Sequence, residues 1–225
     1  MIVSLWMTRE LVTISPDTPI VAAAALMAQR RIRRLLVVDH PAPSSHLLGI
    51  ISAKDILHAF PPDVNPFAVT APDIGSLPVT AAQIMTHQPV TTTPETPIEE
   101  AARLMDEKKI GSLPVLHDHH LIGIITESDI FRAFVSFFDA PENSARITFD
   151  ASNGEDVFGF ISRTARQRHL RVLSLISSVQ QGIPVCVVRV ASPHIDGFLE
   201  DLWNSDHRVI NVLRFDRAGG GHQPQ

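Results

Sequence analysis

The chain has 225 residues, of which 44% are apolar and 19% charged, and its formal net charge is −5 at neutral pH. This length allows one large or two small domains, and the composition is typical of a soluble globular protein. The acidic balance argues against general nucleic-acid binding, no run of about eighteen apolar residues could cross a membrane, and a single cysteine excludes an internal disulfide.

The N-terminus lacks the basic start and long apolar core of a signal peptide, so we expect a cytoplasmic protein. The cysteine, Cys186, lies in an apolar run at 183–190, which predicts a small buried side chain rather than a catalytic thiol. Residues 1–60 carry six Lys/Arg against four Asp/Glu, or +2, so an anionic ligand should prefer the first third of the chain.

Two stretches of the chain are near copies of each other, GIISAKD at 49–55 and GIITESD at 123–129. The repeat extends upstream at an offset of 78, through Met-Thr at 7–8 and 85–86 and through Pro-Asp/Glu-Thr-Pro-Ile at 16–20 and 94–98. The offset falls to 74 because the first copy has four more residues around 41–45, a change that a loop absorbs at little cost.

Each copy predicts the same elements in the same order. After a short leading turn, Thr18 or Thr96 is predicted to cap a helix with proline at its first position. In the first copy the apolar helix face comprises Ile20, Ala23, Ala24 and Met27. Two short strands follow, at 35–38 and 47–51 or at 113–116 and 121–125, and a second helix begins at the repeated motif.

The repeated motif itself joins a strand to a helix and offers a specific chemistry. A helix N-terminus presents unpaired N–H groups to an anion, the hydroxyl of Ser52 or Thr126 can donate to a phosphate oxygen, and Asp55 or Asp129 can accept from a ribose diol. The alternative is a capping box, in which the same two side chains satisfy only the helix's own first donors.

These tandem units resemble a pair of CBS domains, regulatory modules that commonly bind adenine nucleotides between them. The resemblance covers about residues 1–138 and implies two β-α-β-β-α units, at 1–60 and 80–138, that form a pseudo-two-fold pair. Between them, residues 61–79 are rich in proline and predict an ordered but irregular connector.

The resemblance also implies which residues bind a nucleotide. The hydroxyl and aspartate of each copy would bind phosphate and ribose, and the backbone at the start of the second strand, residues 32–35 or 110–114, would contact the adenine. The first residues of each unit, at 13–16 and 91–94, would close the pocket. The implied nucleotide-binding set is Thr13, Arg33, Arg34, Ser52, Lys54, Asp55, His58, Thr91, Ser112, Leu113, Pro114, Thr126, Asp129 and Arg132.

The two sites are not equal in charge. The cations that the first copy places near the expected phosphate are Arg30, Arg31, Arg33, Arg34, Lys54 and His58. The second copy has Lys108, Lys109 and Arg132, and it carries Glu127 where the first has Ala53. His58 and Arg132 each lie one helical turn after their aspartate. We therefore expect the more highly phosphorylated nucleotide, among AMP, ADP and ATP, at the first site. The competing interpretation is that the arginines at 30–34 form a solvated helix end.

From residue 145 the pattern changes to β-α-β-β-α-β, the ferredoxin-like order. We predict strands at 146–149, 170–176, 183–190 and 209–215, a helix at 156–168, and a second helix capped by Ser192 with Pro193 at its first position. Residues 217–225 predict a disordered tail.

After a CBS pair, residues 145–216 resemble an ACT-type domain, and the whole layout is similar to AcuB-like acetoin-utilisation proteins. Amino-acid-binding ACT domains usually carry an Asp-x-Pro-Gly-like turn after the first strand, whereas residues 150–154 are DASNG and lack the proline. The resemblance therefore implies side-by-side pairing of two chains into a homodimer more than amino-acid binding.

The leading hypothesis is a regulatory protein in which a nucleotide bound between the CBS units changes their arrangement, and the ACT-like domain passes that change to a protein target. No catalytic motif, resident cofactor or membrane contact is expected. The histidines at 117–120 lie in a tight turn, where consecutive side chains diverge, so an exposed turn is favoured over a metal site. Nucleic-acid recognition and a purely structural role remain the alternatives.

Overall fold

The computed structural model describes residues 1–40, 46–61, 64–67, 79–138, 142–152, 156–191, 195–205 and 207–215. It divides the chain into two compact units, Met1–Phe134 and Val135–Gln225. The loop insertion at 41–45, most of the connector, the predicted cap and first helical position at 192–193, and the C-terminal tail lie outside the described residues. No helix within the described ranges is both long and apolar enough to span a membrane.

The first unit contains both repeats, and each repeat has the predicted order of elements. A short 3-10 turn at Val3–Leu5 precedes them. The first repeat forms β1 (Thr13–Ile14), α1 (Ile20–Arg30), β2 (Arg34–Val38), β3 (Leu47–Ser52) and α2 (Ala53–Ala59). The second repeat forms α3 (Ala81–Ile84), β4 (Thr86–His87), α4 (Ile98–Lys108), β5 (Ser112–His117), β6 (His120–Thr126) and α5 (Glu127–Phe138).

The predicted apolar face of the first helix is confirmed, because Ile20, Ala23, Ala24 and Met27 are all buried. They pack against the strand residues Leu35, Val37 and Ile51 in one core, and the second repeat builds an equivalent core of its own. Helical spacing places these side chains on a single stripe, so burying the stripe fixes the helix against its sheet.

The leading segment of each repeat completes the sheet of the other repeat. Strand β4 pairs antiparallel with β3, with Gly49 opposite His87, while Thr8 exchanges backbone hydrogen bonds of 2.9 and 3.0 Å with Ile124. Residues 1–8 therefore pack on the second repeat rather than on their own, and the two repeats are joined into one unit.

The glycine of each repeated motif allows this exchange. A Cβ built on Gly49 would lie 2.5 Å from Sδ of Met85, and one built on Gly123 would lie 2.6 Å from Sδ of Met7. At either position a side chain would force the methionine of the other repeat to move, so glycine allows the two segments to cross closely.

The prediction that Thr18 and Thr96 cap helices is wrong. Pro19 and Pro97 occupy the N-cap positions, and the threonine hydroxyls accept hydrogen bonds from the backbone of Ser15 and Thr93, at 3.1 and 3.2 Å, closing the preceding turns.

The exchanged leading segments explain this difference. The backbone N–H of Ile20 donates to the carbonyl of Val79, and that of Ile98 donates to the carbonyl of Met1. Each helix thus has a first donor satisfied by the other repeat's leading segment, and the threonine is free to close a turn instead.

The second unit has the predicted β-α-β-β-α-β order. Its elements are β7 (Ser144–Asp150), α6 (Val157–Gln167), β8 (Arg171–Gln180), β9 (Ile183–Ala191), α7 (Asp196–Asn204) and β10 (Val209–Phe215). The four strands form one antiparallel sheet in the order β10-β7-β9-β8.

The largest differences from the predicted boundaries in this unit are at the end of β8 and the start of α7. Strand β8 continues to Gln180 rather than ending at Ile176, because Ser177 and Ser178 stay paired with β9 up to a two-residue turn at Gln181-Gly182. Helix α7 begins at Asp196, with Ile195 at its N-cap. The polar residues after Ile176 led to the prediction that the strand ends there, but pairing with β9 extends β8 to Gln180.

Cys186 is fully buried in the core of the second unit, as predicted. Burial raises the pKa of its thiol to about 11, so the side chain stays protonated at neutral pH. A neutral buried thiol is a poor nucleophile, which fits a packing role for Cys186.

Candidate functional site

The hydroxyl and aspartate of each repeated motif form a complete capping box. In the first repeat Oδ2 of Asp55 accepts from the backbone N–H and the hydroxyl of Ser52, both at 2.7 Å, and the N–H of Asp55 donates to the Ser52 hydroxyl. Thr126 and Asp129 repeat this geometry at 2.8 and 2.7 Å. The capping interpretation therefore describes both turns as they stand.

The second carboxylate oxygen distinguishes the two turns. Oδ1 of Asp129 accepts a hydrogen bond from the guanidinium of Arg132, one helical turn later, and Asp129 is only 2% exposed. Among the described residues Oδ1 of Asp55 has no such partner, and Lys54 and His58 are exposed. Asp55 therefore has one carboxylate oxygen available as an acceptor, whereas both carboxylate oxygens of Asp129 already accept hydrogen bonds.

Each strand start lies directly beside its turn. The N–H of Ala53 donates to the carbonyl of Arg33 at 2.9 Å, and the N–H of Glu127 donates to the carbonyl of Gly111 at 3.2 Å. In the sheet register Arg34 faces Ser52, and Ser112 faces Thr126. The structure therefore brings together the strand starts and the hydroxyl residues that the sequence assigned to one site per repeat.

The remaining predicted residues take different positions. Thr13 pairs with Leu36 in the sheet, and the carbonyl of Pro114 accepts from the backbone of Thr92, the neighbour of Thr91. The side chain of Leu113 is fully buried in the core of its repeat, so only its backbone is available to a ligand.

A cavity of about 210 Å³ lies in the first unit and takes its lining from both repeats. It contains three of the predicted site residues, Arg33, Arg34 and Thr126. The other lining residues are Thr8, Glu10, Leu11, Val12, Ile32, Leu36 and Ile124. Apolar walls with a few polar groups are typical of small-molecule sites.

The leading segment at 8–12 and Ile124 line this cavity but were not predicted from the sequence. Thr8 and Val12 are recognisable as repeat positions, but their alignment with the second repeat says nothing about where they pack. Only the antiparallel bridge between Thr8 and Ile124 brings these segments together. The first repeat's arginines therefore share a cavity with the second repeat's Thr126.

Arg34 extends from the first repeat to the motif of the second repeat. A Cβ built on Gly111 would lie 2.1 Å from Nη2 of Arg34 and 2.7 Å from Oε2 of Glu127, so both charged side chains rest against this glycine. Burial lowers the pKa of Arg34, the charge of Arg33 lowers it further, and Glu127 opposes both effects. Arg34 is thus a partly desolvated cation with the Glu127 carboxylate nearby.

Of the histidines at 117–120, His119 lies with Asp118 in a two-residue turn, where both have positive φ angles, while His117 ends β5 and His120 begins β6. His120 makes a 2.8 Å hydrogen bond between Nδ1 and the carbonyl of Asp118, and its ring lies 6.3 Å from that of His46. Within the described part of the chain, no group of three or more His, Cys, Asp or Glu side chains is arranged to bind a metal.

Comparison with known proteins gives matches for this chain. The family model for the CBS domain matches residues 2–62 and 81–136. Among curated proteins, inosine-5'-monophosphate dehydrogenase of Korarchaeum cryptofilum is 32% identical over 124 residues, which cover 55% of this chain and 22% of that enzyme. Homoserine O-acetyltransferase of Methanohalobium evestigatum is 32% identical over 132 residues, 58% of this chain and 24% of that enzyme. The chain thus spans about a quarter of the length of either enzyme.

Solved structures of similar proteins cover a comparable part of the chain. CBSX2 in complex with AMP aligns with a TM-score of 0.50 and 27% identity, over 61% of this chain and 98% of that one. An acetoin utilization protein (AcuB), described as putative, from Vibrio cholerae aligns with a TM-score of 0.50 and 28% identity, over 61% of this chain and 94% of that one.

Proposed function

Because this chain belongs to the CBS domain family, we propose that it is a regulatory protein that binds an adenine nucleotide between its two repeats. The observation that carries this proposal is the cavity that places Arg33 and Arg34 of one repeat beside Thr126 of the other. A ligand that contacts both repeats binds one relative arrangement better than another, which is the requirement for transmitting a signal.

The chemistry of the cavity suits the two ends of a nucleotide. Five aliphatic side chains, Leu11, Val12, Ile32, Leu36 and Ile124, offer a surface for a planar base. The guanidinium groups of Arg33 and Arg34 offer donors for phosphate oxygens, and arginine binds phosphate with two parallel hydrogen bonds. The hydroxyl of Thr126 already donates to Asp129 and leaves its oxygen as an acceptor. The solved complex of CBSX2 with AMP supports this class of ligand.

The curated relatives are enzymes, but the matched region spans less than a quarter of their length. Most of each enzyme lies outside the match, so we transfer neither activity. We propose a binding role without turnover, in the cytoplasm, for AMP, ADP or ATP.

Titration calorimetry of nucleotide-stripped protein with AMP, ADP, ATP and S-adenosylmethionine tests this proposal. We expect saturable binding of at least one adenine nucleotide, and a loss of affinity of about a hundredfold when Arg33 and Arg34 are both replaced by alanine. The matched control replaces Arg30 and Arg31, which are exposed and do not line the cavity. No binding by the unmodified protein, or equal loss in both variants, would contradict the proposal.

The roles of the aspartates are tested in the same titration with Asp55→Ala and Asp129→Ala. Loss of binding in either variant would assign that aspartate to the ligand. If both variants keep their affinity and only lower the melting temperature, the aspartates act purely as helix caps.

We further propose that the second unit is an ACT-like domain that pairs two chains and relays the bound state to a protein target. Strand β8 is ten residues long and lies at one edge of the sheet, with exposed Val172, Ile176 and Val179. Beside it, α6 and β8 line an open apolar groove of about 390 Å³, where Phe158 is 56% exposed. Unpaired strand edges and apolar faces of this kind are typical of pairing surfaces.

Sedimentation velocity tests the pairing. We expect Ile176→Lys with Val179→Lys to convert a dimer into a monomer, because two β8 strands side by side would then bring like charges together. The control is Ile210→Lys, on the opposite edge strand β10, where the side chain is 54% exposed. A monomeric unmodified chain, or dissociation by the control alone, would overturn pairing through β8.

A further inference from the structure

Glu127 occupies a position where a negative charge bears directly on Arg34. Its carboxylate and the guanidinium of Arg34 contact the same glycine, Gly111, from two repeats. Glu127 also follows Thr126, which lines the cavity together with Arg34. The carboxylate therefore lies next to the group that is available to a ligand phosphate.

This arrangement exists at one of the two pseudo-equivalent positions. The repeat places Ala53 where the second copy has Glu127, Ser112 where the first copy has Arg34, and Arg33 where the second copy has Gly111. The first motif thus has neither the carboxylate, nor the facing guanidinium, nor the glycine that lets them approach.

A phosphate and a carboxylate would compete for the same cation. Arg34 is partly desolvated and stands beside the like charge of Arg33, so a nearby anion stabilises it. Glu127 supplies that anion from within the protein. A phosphate that approaches Arg34 gains less from it, because the Glu127 carboxylate already offsets part of the unfavourable surroundings of Arg34 and also repels the phosphate.

We propose that Glu127 is a specificity-determining residue that competes with ligand phosphate for Arg34 and thereby lowers the preference of the cavity for highly charged nucleotides. The inference rests on the proposed function, because it needs a phosphate-bearing ligand in this cavity. It predicts an effect that grows with the number of phosphates, which a purely structural role for Glu127 does not.

The test is a charge series measured by titration calorimetry: adenosine, AMP, ADP and ATP with the unmodified chain, Glu127→Gln, Arg34→Ala and the double variant. We expect Glu127→Gln to leave the Kd for adenosine unchanged and to lower the Kd for ATP by about threefold to tenfold. The changes for AMP and ADP should lie between these two. When Arg34 is already replaced by alanine, Glu127→Gln should increase the affinity for ATP much less, because the cation for which carboxylate and phosphate compete is absent.

The matched control is Glu99→Gln, which removes the same charge from an exposed position in the first turn of α4. Equal tightening by Glu99→Gln would show a general charge effect and overturn the inference. So would weaker or unchanged ATP binding by Glu127→Gln, or an equal shift for all four ligands. If the unmodified chain binds none of the phosphorylated ligands, the proposed function itself fails.

Discussion

The two repeats share a backbone plan but divide its chemistry unequally. In the first, the aspartate of the motif keeps an oxygen available and its neighbours Lys54 and His58 are exposed. In the second, Asp129 is buried and held by Arg132, and Glu127 faces the arginine of the other repeat. Duplication preserved the groups that build the turn, while the groups that decide charge have diverged.

The contrast extends to how tightly the repeats hold each other. A Cβ on Gly49 would meet the backbone oxygen of Thr86 at 2.9 Å, whereas a Cβ on Gly123 would meet that of Thr8 at 3.2 Å. Backbone atoms yield less readily than the flexible methionine side chains nearby, so the crossing at Gly49 is the less tolerant of the two.

Alanine at these two glycines would give the largest effect and sharpen this contrast. We expect Gly49→Ala to lower the free energy of unfolding of the first unit by about 3 kcal/mol and Gly123→Ala by about 1 to 2 kcal/mol, because overpacking forces the backbone to shift. Urea titration followed by Trp6 fluorescence, with Trp203 replaced by phenylalanine, reports on this unit. Equal losses would remove the distinction between the crossings.

The aspartates of the motifs should differ in the same sense. We expect Asp129→Ala to lower the free energy of unfolding by about 2 kcal/mol and Asp55→Ala by about 1 kcal/mol. Both variants lose a helix cap, but Asp129→Ala also empties a buried position and loses the contact with Arg132. The same fluorescence titration measures both variants. A larger loss of stability in Asp55→Ala would contradict the conclusion that Asp129 makes the stronger interactions within its turn.

Binding should depend on the arginine that crosses between the repeats more than on its counterpart. We expect Arg34→Ala to weaken ATP binding about tenfold, equivalent to about 1.4 kcal/mol, and Ser112→Ala to weaken it less than twofold. Titration calorimetry measures both. A dominant effect of Ser112→Ala would move the phosphate site to the second repeat.

The threonines before the first helices should give the smallest effect and an equal one in both repeats. Thr18→Ala and Thr96→Ala each lose two hydrogen bonds in an exposed turn, one with a backbone N–H and one with a neighbouring hydroxyl. For each variant we expect a loss of about 0.5 to 1 kcal/mol in the free energy of unfolding. Thermal unfolding of the two variants checks this. A difference of more than about 1 kcal/mol between them would show that one hydroxyl has a further role.

Local patterns were sufficient to predict most of the elements. The stripe formed by Ile20, Ala23, Ala24 and Met27 is buried as expected, and β10 has the predicted bounds of 209–215. The helix stripe follows from periodicity, since a side chain three or four residues along a helix returns to the same face. The strand follows from its run of apolar and β-branched residues. Errors occurred at ends, such as that of β8, where pairing with a neighbouring strand outweighs the local residue preference.

The candidate site was only partly predictable. Arg33, Arg34 and Thr126 were chosen from the sequence, but they were assigned to separate sites, one in each repeat. The structure places them in one cavity and adds residues 8–12, for which the sequence offers no signal of contact with Ile124.

The sequence by itself determined the duplicated plan, the order of helices and strands, and the capping boxes, because each depends on residues within a few positions of one another. Only the tertiary structure decided which repeat each leading segment completes and which charges meet. The two repeats are so alike that residues 1–8 could pair with either sheet by local preference alone. The choice depends on long-range contacts, such as those of Met7 with Gly123 and of Met1 with Ile98, that no local pattern encodes.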